Sequence, residues 1–233
     1  QTETHKKLFT YERGIGTMLS PNEVQITKDN QTIKTIQTDF IILASGSRPV
    51  KLPGIEVDEK NIVTSDGIHA LEDFPKSLVI LGAGVIGCEF ATIFANFGKT
   101  KVYLIDRAER ILPFEDEDIA DLVATNLEEK GVTIFHSAKL EKMITIDGEV
   151  EFEVSFPDGT SECLRVDKAM LSIGRQPNIE QLGMENAGVK MSKRGVHIGD
   201  DDTQTNIPNI YAVGDVSGHI ALNRLAQTPQ MSP

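Results

Sequence analysis

Three glycines and one aspartate in this sequence have the residue types and the spacing needed to hold a dinucleotide. Gly82, Gly84 and Gly87 follow the apolar run 78–81 in GxGxxG spacing, and Asp106 ends the next apolar run. In such a motif the first glycine permits a tight turn, the second lets a diphosphate approach the backbone, and the third lets helix and strand pack closely. The acid accepts hydrogen bonds from an adenosine ribose. The sequence therefore predicts a dinucleotide site at this turn.

A helix must follow the glycines for this chemistry, and the sequence predicts one that starts near Val85 and stops at Gly98. The free N–H groups around Ala83, Val85 and Ile86 and the positive end of the helix dipole would receive the phosphates. A glycine motif alone is a weak indication, because tight glycine turns are common in α/β domains. Here the strand, the helix and the acid all agree, so we favour a dinucleotide site over an ordinary turn.

The remaining segments predict an α/β fold. Two Asp-Gly pairs, Asp147-Gly148 and Asp158-Gly159, separate β-rich segments and indicate hairpins. A short helix through Leu71 and a longer one that ends at Lys130 are also expected. The order of these elements predicts a Rossmann-like unit whose crossover is a β-meander. The predicted strands cover 24–27, 33–36, 40–44, 78–81, 102–105, 132–135, 140–146, 150–156, 162–166, 169–173, 196–198 and 210–213.

Composition and charge argue against several classes of protein. The 233 residues suffice for one large domain or two modest ones, and the net charge of -12 argues against a nucleic-acid surface. No apolar run approaches the roughly 18 residues of a membrane span, and no signal peptide is recognisable at the start. We therefore expect a soluble, cytoplasmic protein that binds neither nucleic acid nor membrane.

The cysteines and histidines offer neither a disulfide framework nor a metal site. Cys88 and Cys163 are far apart in the sequence and form no CxxC pair. Cys88 lies in the glycine-rich turn and is more simply explained as a small packing residue than as a reactive thiol. The five histidines show no ligand spacing, and the acidic run 115–118 is better explained as a helix N-terminus than as a metal site. We assign no metal.

Four motifs occur in an order that is typical of one enzyme family. They are Ala44-Ser-Gly-Ser-Arg-Pro49, Gly82-Ala-Gly-Val-Ile-Gly-Cys-Glu89, Ser172-Ile-Gly-Arg-Gln-Pro-Asn178 and Thr205-Asn-Ile-Pro-Asn-Ile-Tyr-Ala-Val-Gly-Asp215. Over residues 10–222 the chain resembles the flavin-dependent pyridine nucleotide-disulfide oxidoreductases, and within them it is most similar to the dihydrolipoamide dehydrogenases. Four ordered motifs are more specific than any one of them.

The resemblance implies that an NAD-binding domain is inserted into an FAD-binding domain of similar fold. Residues 1–74 would form part of the FAD-binding domain, and residues 75–194 would form the NAD-binding domain. Residues 195–233 would be the return segment of the FAD-binding domain. The resemblance thus implies two cofactors, NAD and FAD, in the complete enzyme.

On the NAD side, the resemblance assigns the three glycines to the pyrophosphate and Asp106 to the ribose. It adds Glu89 at the nicotinamide end, and Leu140 and Gly174 as residues that line the nucleotide site. A carboxylate at position 106 accepts a hydrogen bond from a free 2′-hydroxyl and repels a 2′-phosphate. We therefore expect NAD rather than NADP, although the neighbouring Arg107 would weaken that repulsion.

On the FAD side, the resemblance assigns two short segments to the flavin. Ser45, Gly46 and Ser47 match a turn near FAD, although the family usually has Thr at the first of these positions. Asp215 matches the acid that binds the ribityl chain, and a carboxylate at the end of a strand suits that task. The alternative for Asp215 is a solvated turn aspartate.

Several features of the family are missing from these 233 residues. No GxGxxG precedes Gly82, no CxxxxC redox pair is present, and the last stretch up to Pro233 does not resemble the helix that follows the flavin aspartate. The catalytic His of the family's C-terminal domain is missing as well. A thiol-disulfide reductase needs a nucleophilic thiolate and a base. We therefore expect a fragment without catalytic residues of its own, which binds NAD(H) and does not turn over dihydrolipoamide.

The complete enzyme implied by the resemblance would be a homodimer that oxidises dihydrolipoamide on a lipoyl-bearing protein. Electrons would pass through a disulfide and FAD to NAD. Relatives on the same scaffold, namely soluble transhydrogenase, glutathione reductase and mercuric reductase, are alternatives. From a different class, the chain could be a non-catalytic nucleotide-binding module. The flavin motif at Gly214-Asp215 counts against that last alternative, because a nucleotide sensor needs no ligand for a ribityl chain.

Overall fold

A computed structural model describes residues 9–192, 195–198 and 203–218 of the chain. The last stretch, 223–233, on which one sequence interpretation rests, lies outside the described residues. The fold is α/β with a parallel sheet, as the sequence predicted. Neither α-helix in the described part of the chain is long and apolar enough to cross a bilayer.

The helices and strands have the following bounds in chain order. They are β1 Ile15–Ser20, β2 Glu23–Lys28, β3 Gln31–Gln37, β4 Ile41–Leu43, β5 Ser47–Pro49, β6 Ile62–Thr64, β7 Ser77–Leu81, α1 Val85–Phe97, β8 Lys101–Ile105, α2 Glu117–Glu129, β9 Thr133–Phe135, β10 Lys139–Ile146, β11 Glu149–Ser155, β12 Ser161–Val166, β13 Lys168–Leu171, β14 Arg175–Pro177 and β15 Ile210–Ala212. Short 3₁₀ turns cover Gly67–Ala70 and Gly214–Ser217.

The chain divides into two compact units. Residues 49–175 form one, which we call the sheet unit, and the segments on either side of it form the other, the flanking unit. The sequence placed the boundaries at 74/75 and 194/195. The sheet unit starts earlier because Ile62 and Val63 of β6 are fully buried beside β13. It ends earlier because Met184 packs in the core of the flanking unit. Which unit serves which cofactor stays a prediction.

The sheet unit is built on a five-stranded parallel sheet in the order β6-β13-β7-β8-β9. From β7 the chain moves outward to β8 and β9, whereas β13 and β6 lie on the other side of β7. Ligands of open parallel sheets bind at such a reversal of strand order, beyond the carboxyl ends of the strands. In the register of β7 with β8, Leu81 lies opposite Ile105. Gly82 and Asp106 therefore leave the sheet side by side.

Alternation along β7 divides its side chains between two layers. Leu78 and Ile80 lie in a cluster with residues of α1 and α2, such as Phe94 and Leu127. Val79 and Leu81 pack instead against the meander formed by β10, β11 and β12. All of β7 except its first residue is buried, as expected for a parallel strand covered on both faces.

The β-meander predicted from the Asp-Gly pairs is confirmed. β10, β11 and β12 pair antiparallel in sequence order. Asp147 and Gly148 both have positive φ, at 52° and 85°, as a two-residue hairpin turn requires. In β11, Val150, Phe152 and Val154 are fully buried, and the residues between them are not. The meander therefore covers one face of the parallel sheet.

Two local predictions differ from the structure. The short helix expected through Leu71 is only the 3₁₀ turn Gly67–Ala70, because four residues cannot close an α-helical ladder. The strand expected at 196–198 is reduced to isolated bridges, Met191 with Val196 and Ile198 with Thr205.

The flanking unit combines an antiparallel sheet with a parallel strand pair. β1, β2 and β3 form the antiparallel sheet, and β4 pairs with β15 in parallel. Ile41 and Ile210 of this pair are opposite each other and buried. The carboxyl ends of β4 and β15 are thereby brought to the same edge, although more than 160 residues separate them in the sequence.

Candidate functional site

Two glycines permit the conformation and the close packing of the turn that follows β7. Gly82 has φ +102°, and a Cβ added there would lie 2.6 Å from the carbonyl oxygen of Ser172. A Cβ added at Gly87 would overlap the carbonyl oxygen of Gly82 and lie 2.8 Å from Ser172 Oγ. The first glycine therefore permits the turn, and the third lets α1 pack against it.

Gly84, the middle glycine, faces open space. It is the N-cap residue of α1, in extended conformation, and no described atom lies within 4 Å of a Cβ added there. No described side chain caps α1, and its first turn holds no acid. In α2, by contrast, Asp116 caps the helix through the Asp118 N–H, and the first turn carries Glu117 and Asp118. The α1 N-terminus thus has unsatisfied N–H groups and a positive dipole end that face outward.

Asp106 lies directly beside the glycine turn. Its Oδ2 accepts a hydrogen bond from the Ala83 N–H at 2.6 Å, and its Oδ1 accepts one from the Ala108 N–H at 2.9 Å. The carboxylate is half-buried. Each carboxylate oxygen can accept a further hydrogen bond. The structure therefore brings the uncapped N-terminus of α1 and a half-buried carboxylate to one place.

The backbone after Asp106 is tied to the segment that leads into β10. Asp106 N–H donates to the Phe135 carbonyl at 3.1 Å, and the Ala138 N–H donates to the Asp106 carbonyl at 2.8 Å. Leu140 follows, half-buried against the meander core. Leu140 therefore belongs to the strand that starts beside Asp106.

The other predicted residues of the sheet unit lie along the same edge or on α1. Gly174 follows β13, with φ +114° and open space where a Cβ would be. Gly82 is close to Ser172 and Ile173, so Gly174 is near the glycine turn. Val85 is 47% exposed and Ile86 half-buried. Glu89 is exposed one helical turn after Val85, on the same face of α1.

Ser172 supports the glycine turn and was not given a role by the sequence. Its Oγ donates to the carbonyl oxygens of Leu81 at 3.0 Å and Gly82 at 2.8 Å, and its N–H donates to Leu81 at 2.8 Å. The sequence feature that could have indicated a role for Ser172 was its position at the start of the motif Ser172–Asn178. A hydroxyl at the end of a neighbouring strand can satisfy a carbonyl that a tight turn leaves unpaired, here that of Gly82.

Cys88 is buried in the glycine-rich turn, and its thiol lies 3.4 Å from the Ala83 carbonyl oxygen. Burial, with the negative charge of Asp106 adding to it, raises the pKa of the Cys88 thiol to about 12. The thiol is therefore protonated at neutral pH. Cys163, in β12, is exposed. The interpretation of Cys88 as a packing residue is consistent with this environment.

We expect iodoacetamide to modify Cys163 readily and Cys88 hardly at all in the native chain. Only thiolates react, and a pKa about three units above the usual value lowers the thiolate fraction roughly 10³-fold. Mass spectrometry of the labelled protein would give the site. Cys163→Ser should abolish native labelling, and denaturant should restore it through Cys88. Rapid native labelling of Cys88 would contradict the buried placement of this thiol.

The residues matched to the flavin meet in the flanking unit. Ser47 Oγ donates to Asp215 Oδ2 at 2.5 Å. Ser47 is the first residue of β5, shortly after β4 ends, and Asp215 lies in the 3₁₀ turn after β15, so their hydrogen bond joins the segments that follow the two strands of the parallel pair. Gly46 has φ +67° and no described atom within 4 Å of an added Cβ. This arrangement leaves an open backbone turn beside a half-buried carboxylate.

Asn178 shapes that turn, although no role was predicted for it from the sequence. Its carbonyl accepts from Ser45 Oγ at 2.6 Å, its N–H donates to the Gly46 carbonyl at 2.9 Å, and its Nδ2 donates to the Ser45 carbonyl at 2.9 Å. Arg48 bonds Asn178 Oδ1 at 2.9 Å and pairs through both terminal nitrogens with Glu180. The Arg48 guanidinium lowers the pKa of Glu180 to about 2. Four polar residues thus fix the turn that carries Ser47.

Comparison with known proteins matches the chain to a family of redox enzymes. The model of the family described as pyridine nucleotide-disulphide oxidoreductase matches residues 2–230. A dihydrolipoyl dehydrogenase of Bacillus subtilis (strain 168) is 37% identical over 221 residues, which are 92% of this chain and 45% of that protein. A soluble pyridine nucleotide transhydrogenase of Mycobacterium bovis is 35% identical over 211 residues, covering 90% of this chain and 44% of that protein.

The fold agrees with a solved structure of related sequence. The Cu(II) complex of the HOCl-induced flavoprotein disulfide reductase RclA from Escherichia coli has a TM-score of 0.80 at 32% sequence identity. The match covers 92% of this chain and 47% of RclA. The chain therefore spans about half the length of the relatives it matches.

Proposed function

Because the chain belongs to the pyridine nucleotide-disulphide oxidoreductase family, we propose that its sheet unit binds the NAD of a flavin-dependent dihydrolipoamide dehydrogenase. In this proposal the nucleotide lies across the carboxyl edge of the parallel sheet. Its diphosphate meets the N-terminus of α1, and its adenosine ribose meets Asp106. The family itself implies FAD and a nicotinamide nucleotide, and the narrower choice of NAD and of dihydrolipoamide is ours.

The hydrogen bond between the Ala83 N–H and Asp106 Oδ2, at 2.6 Å, is the observation that supports the proposal most. It sets the phosphate-binding turn and the ribose-binding acid at contact distance, as a single dinucleotide requires. The uncapped start of α1 and the open space at Gly84 supply the anion-binding part. A turn with a purely structural role would not need to leave its helix uncapped.

The choice of NAD over NADP rests on the charge of Asp106. Both carboxylate oxygens already accept backbone N–H groups, which hold the carboxylate in place for the ribose hydroxyls. A 2′-phosphate would have to approach the same negative charge, and the repulsion disfavours it. Arg107 is exposed, so solvent weakens any compensating attraction that it offers.

The flanking unit supplies residues that fit a flavin nucleotide. Asp215 would hold hydroxyl groups of the ribityl chain, and its orientation is fixed by Ser47. The open Gly46 turn would let the cofactor approach the backbone. When bound, FAD would accept an electron pair from the dithiol side and pass it to NAD. The role of this chain's residues is to bind and orient the two nucleotides.

Catalysis of thiol-disulfide exchange does not come from the residues of this sequence. Its two cysteines are Cys88 and Cys163, one of them buried with a raised pKa and the other exposed on β12. Reduction of a disulfide needs a thiolate with a nearby base. We therefore propose that these 233 residues bind the nucleotide without turning over dihydrolipoamide, and that a lipoyl-bearing protein is the partner of the complete enzyme.

Soluble transhydrogenase is the second candidate, favoured by the 35% identity to the Mycobacterium bovis enzyme. Such an enzyme exchanges reducing equivalents between two nicotinamide nucleotides and therefore must accept NADP as well as NAD. Comparable dissociation constants for the two nucleotides would favour this candidate. A strong preference for NAD would favour the dehydrogenase.

Titration of the purified 233-residue chain with NADH, followed by nicotinamide fluorescence, tests the proposal. We expect saturable binding that ADP-ribose displaces, and no oxidation of dihydrolipoamide by the same sample. Gly84→Ala is the negative control and should not bind NADH, because its added methyl group would occupy the space proposed for the diphosphate without contacting any described atom. Absence of saturable binding, or turnover of dihydrolipoamide, would contradict the proposal.

A further inference from the structure

The carbonyl group of Ala83 is held from two sides. The Leu112 N–H donates to it at 2.8 Å, and the Cys88 thiol lies 3.4 Å from the same oxygen. Because the thiol has a pKa of about 12, it keeps its proton and can donate it as a weak hydrogen bond. These two donors fix the direction in which the Ala83–Gly84 peptide points.

That direction decides what Gly84 offers to a ligand. The described residues contain no cis peptide bond, and in a trans peptide the C=O and the N–H point to opposite sides. With its carbonyl turned to Leu112 and Cys88, the peptide turns the Gly84 N–H away from them. No acceptor among the described residues bonds this N–H, and the space beside Gly84 is open. The Gly84 N–H is therefore a donor without an acceptor among the described residues, on the side of the peptide opposite Leu112 and Cys88.

Arg110 supports the turn that contains Leu112, the residue whose N–H donates to the Ala83 carbonyl. Leu112 is buried and has φ +48°, a left-handed conformation that a leucine adopts only under constraint. The Arg110 guanidinium donates to the carbonyl oxygens of Leu112 at 3.5 Å, Pro113 at 3.3 Å and Glu115 at 3.1 Å. The Glu115 N–H closes the turn onto the Leu112 carbonyl at 3.0 Å. Arg110 thus stabilises this strained turn through hydrogen bonds to its carbonyl groups.

We propose that Arg110 and Cys88 are positioning residues for diphosphate binding, because together they lock the Ala83–Gly84 peptide with the Gly84 N–H aimed at the phosphates. The inference rests on the nucleotide site proposed for the glycine turn and deepens it. Neither side chain touches the nucleotide. Each acts through the Ala83 carbonyl, Cys88 directly and Arg110 through the Leu112 turn.

Three variants of the 233-residue chain separate positioning from a general structural role. Arg110→Met removes the donors and keeps the aliphatic stem. Cys88→Ala removes the thiol donor, and Cys88→Ser restores a donor in a side chain of similar size. Arg165→Met and Cys163→Ala are the matched controls, because both residues are exposed on β12. Dissociation constants for ADP-ribose and for adenosine, together with melting temperatures, are measured for every variant.

We expect Arg110→Met and Cys88→Ala each to weaken ADP-ribose binding about three- to tenfold, which is the value of one hydrogen bond. Adenosine, which lacks the diphosphate, should lose less affinity than ADP-ribose in both variants. Cys88→Ser should stay within about twofold of the wild type. Unchanged ADP-ribose affinity, or equal losses for ADP-ribose and adenosine, would overturn the proposal.

Amide hydrogen exchange of the nucleotide-free chain provides a second measurement. The Leu112 N–H should be protected by its bond to Ala83 in the wild type and lose protection in Arg110→Met. If the wild type fails to bind ADP-ribose, both the proposed nucleotide site and the proposed positioning role of Arg110 and Cys88 are wrong. If the wild type binds ADP-ribose, and Arg110→Met exposes the Leu112 amide to exchange without weakening that binding, only the proposed positioning role is wrong.

Discussion

Replacing Gly87 with alanine is expected to destabilise the sheet unit by roughly 3 kcal/mol or more and to abolish nucleotide binding. The added methyl group would overlap the Gly82 carbonyl oxygen and press on Ser172 Oγ at 2.8 Å. Because the Gly82 oxygen belongs to the backbone, it cannot move aside without opening the turn that presents Gly84. Chemical unfolding and an NADH titration of the same variant would measure both effects.

Gly84→Ala is the matched control for this prediction, since it adds the same methyl group three residues earlier. Its Cβ would point into open space, and its extended backbone suits any residue. The unfolding free energy should therefore change by less than about 1 kcal/mol, while NADH binding should be lost. Equal unfolding midpoints for the two variants would show that the close packing of α1 on the turn is not as described.

Asp106→Ala is expected to weaken NADH binding by about 100-fold. Two hydrogen bonds from ribose hydroxyls to a carboxylate contribute roughly 1.5 kcal/mol each, and both would be lost. The same change removes the charge that repels a 2′-phosphate, so the preference for NADH over NADPH should shrink. Parallel titrations with the two nucleotides would give both results.

Two further variants at acidic positions define what the carboxylate of Asp106 does. Asp106→Asn removes the charge and places an NH₂ group against either the Ala83 or the Ala108 N–H, so it should also weaken binding. Asp121→Ala changes an exposed acid on α2 and should leave both dissociation constants unaltered. If NADPH stays as weak a ligand in Asp106→Ala as in the wild type, the discrimination has another source.

The parts of the site that the sequence predicted are those whose function depends on local spacing. The GxGxxG glycines and Asp106 are set by one strand, one turn and the next strand, so their relation is visible in a short window. The meander was predictable for the same reason, because Asp147-Gly148 and Asp158-Gly159 demand hairpin turns between alternating segments. The assignment of these residues to a bound nucleotide stays a prediction.

The parts that the sequence did not predict depend on distant or unusual contacts. Asn178 holds Ser45 across 133 residues, and no local pattern marks such a pair. The left-handed Leu112 is a leucine where a glycine would have signalled the conformation. The three residues of β6 are too few to show that they pair with β13, which is why the sequence predicted no strand there.

The Asp106 carboxylate accepts a hydrogen bond from the turn that is proposed to bind the diphosphate. Because Asp106 accepts the Ala83 N–H with the same carboxylate that is proposed to bind the sugar, occupation of one half of the proposed site would stiffen the other half. The free energies of the two halves are then not additive. Adenosine and pyrophosphate, offered as separate molecules, would bind cooperatively, each making the other's half of the site more rigid.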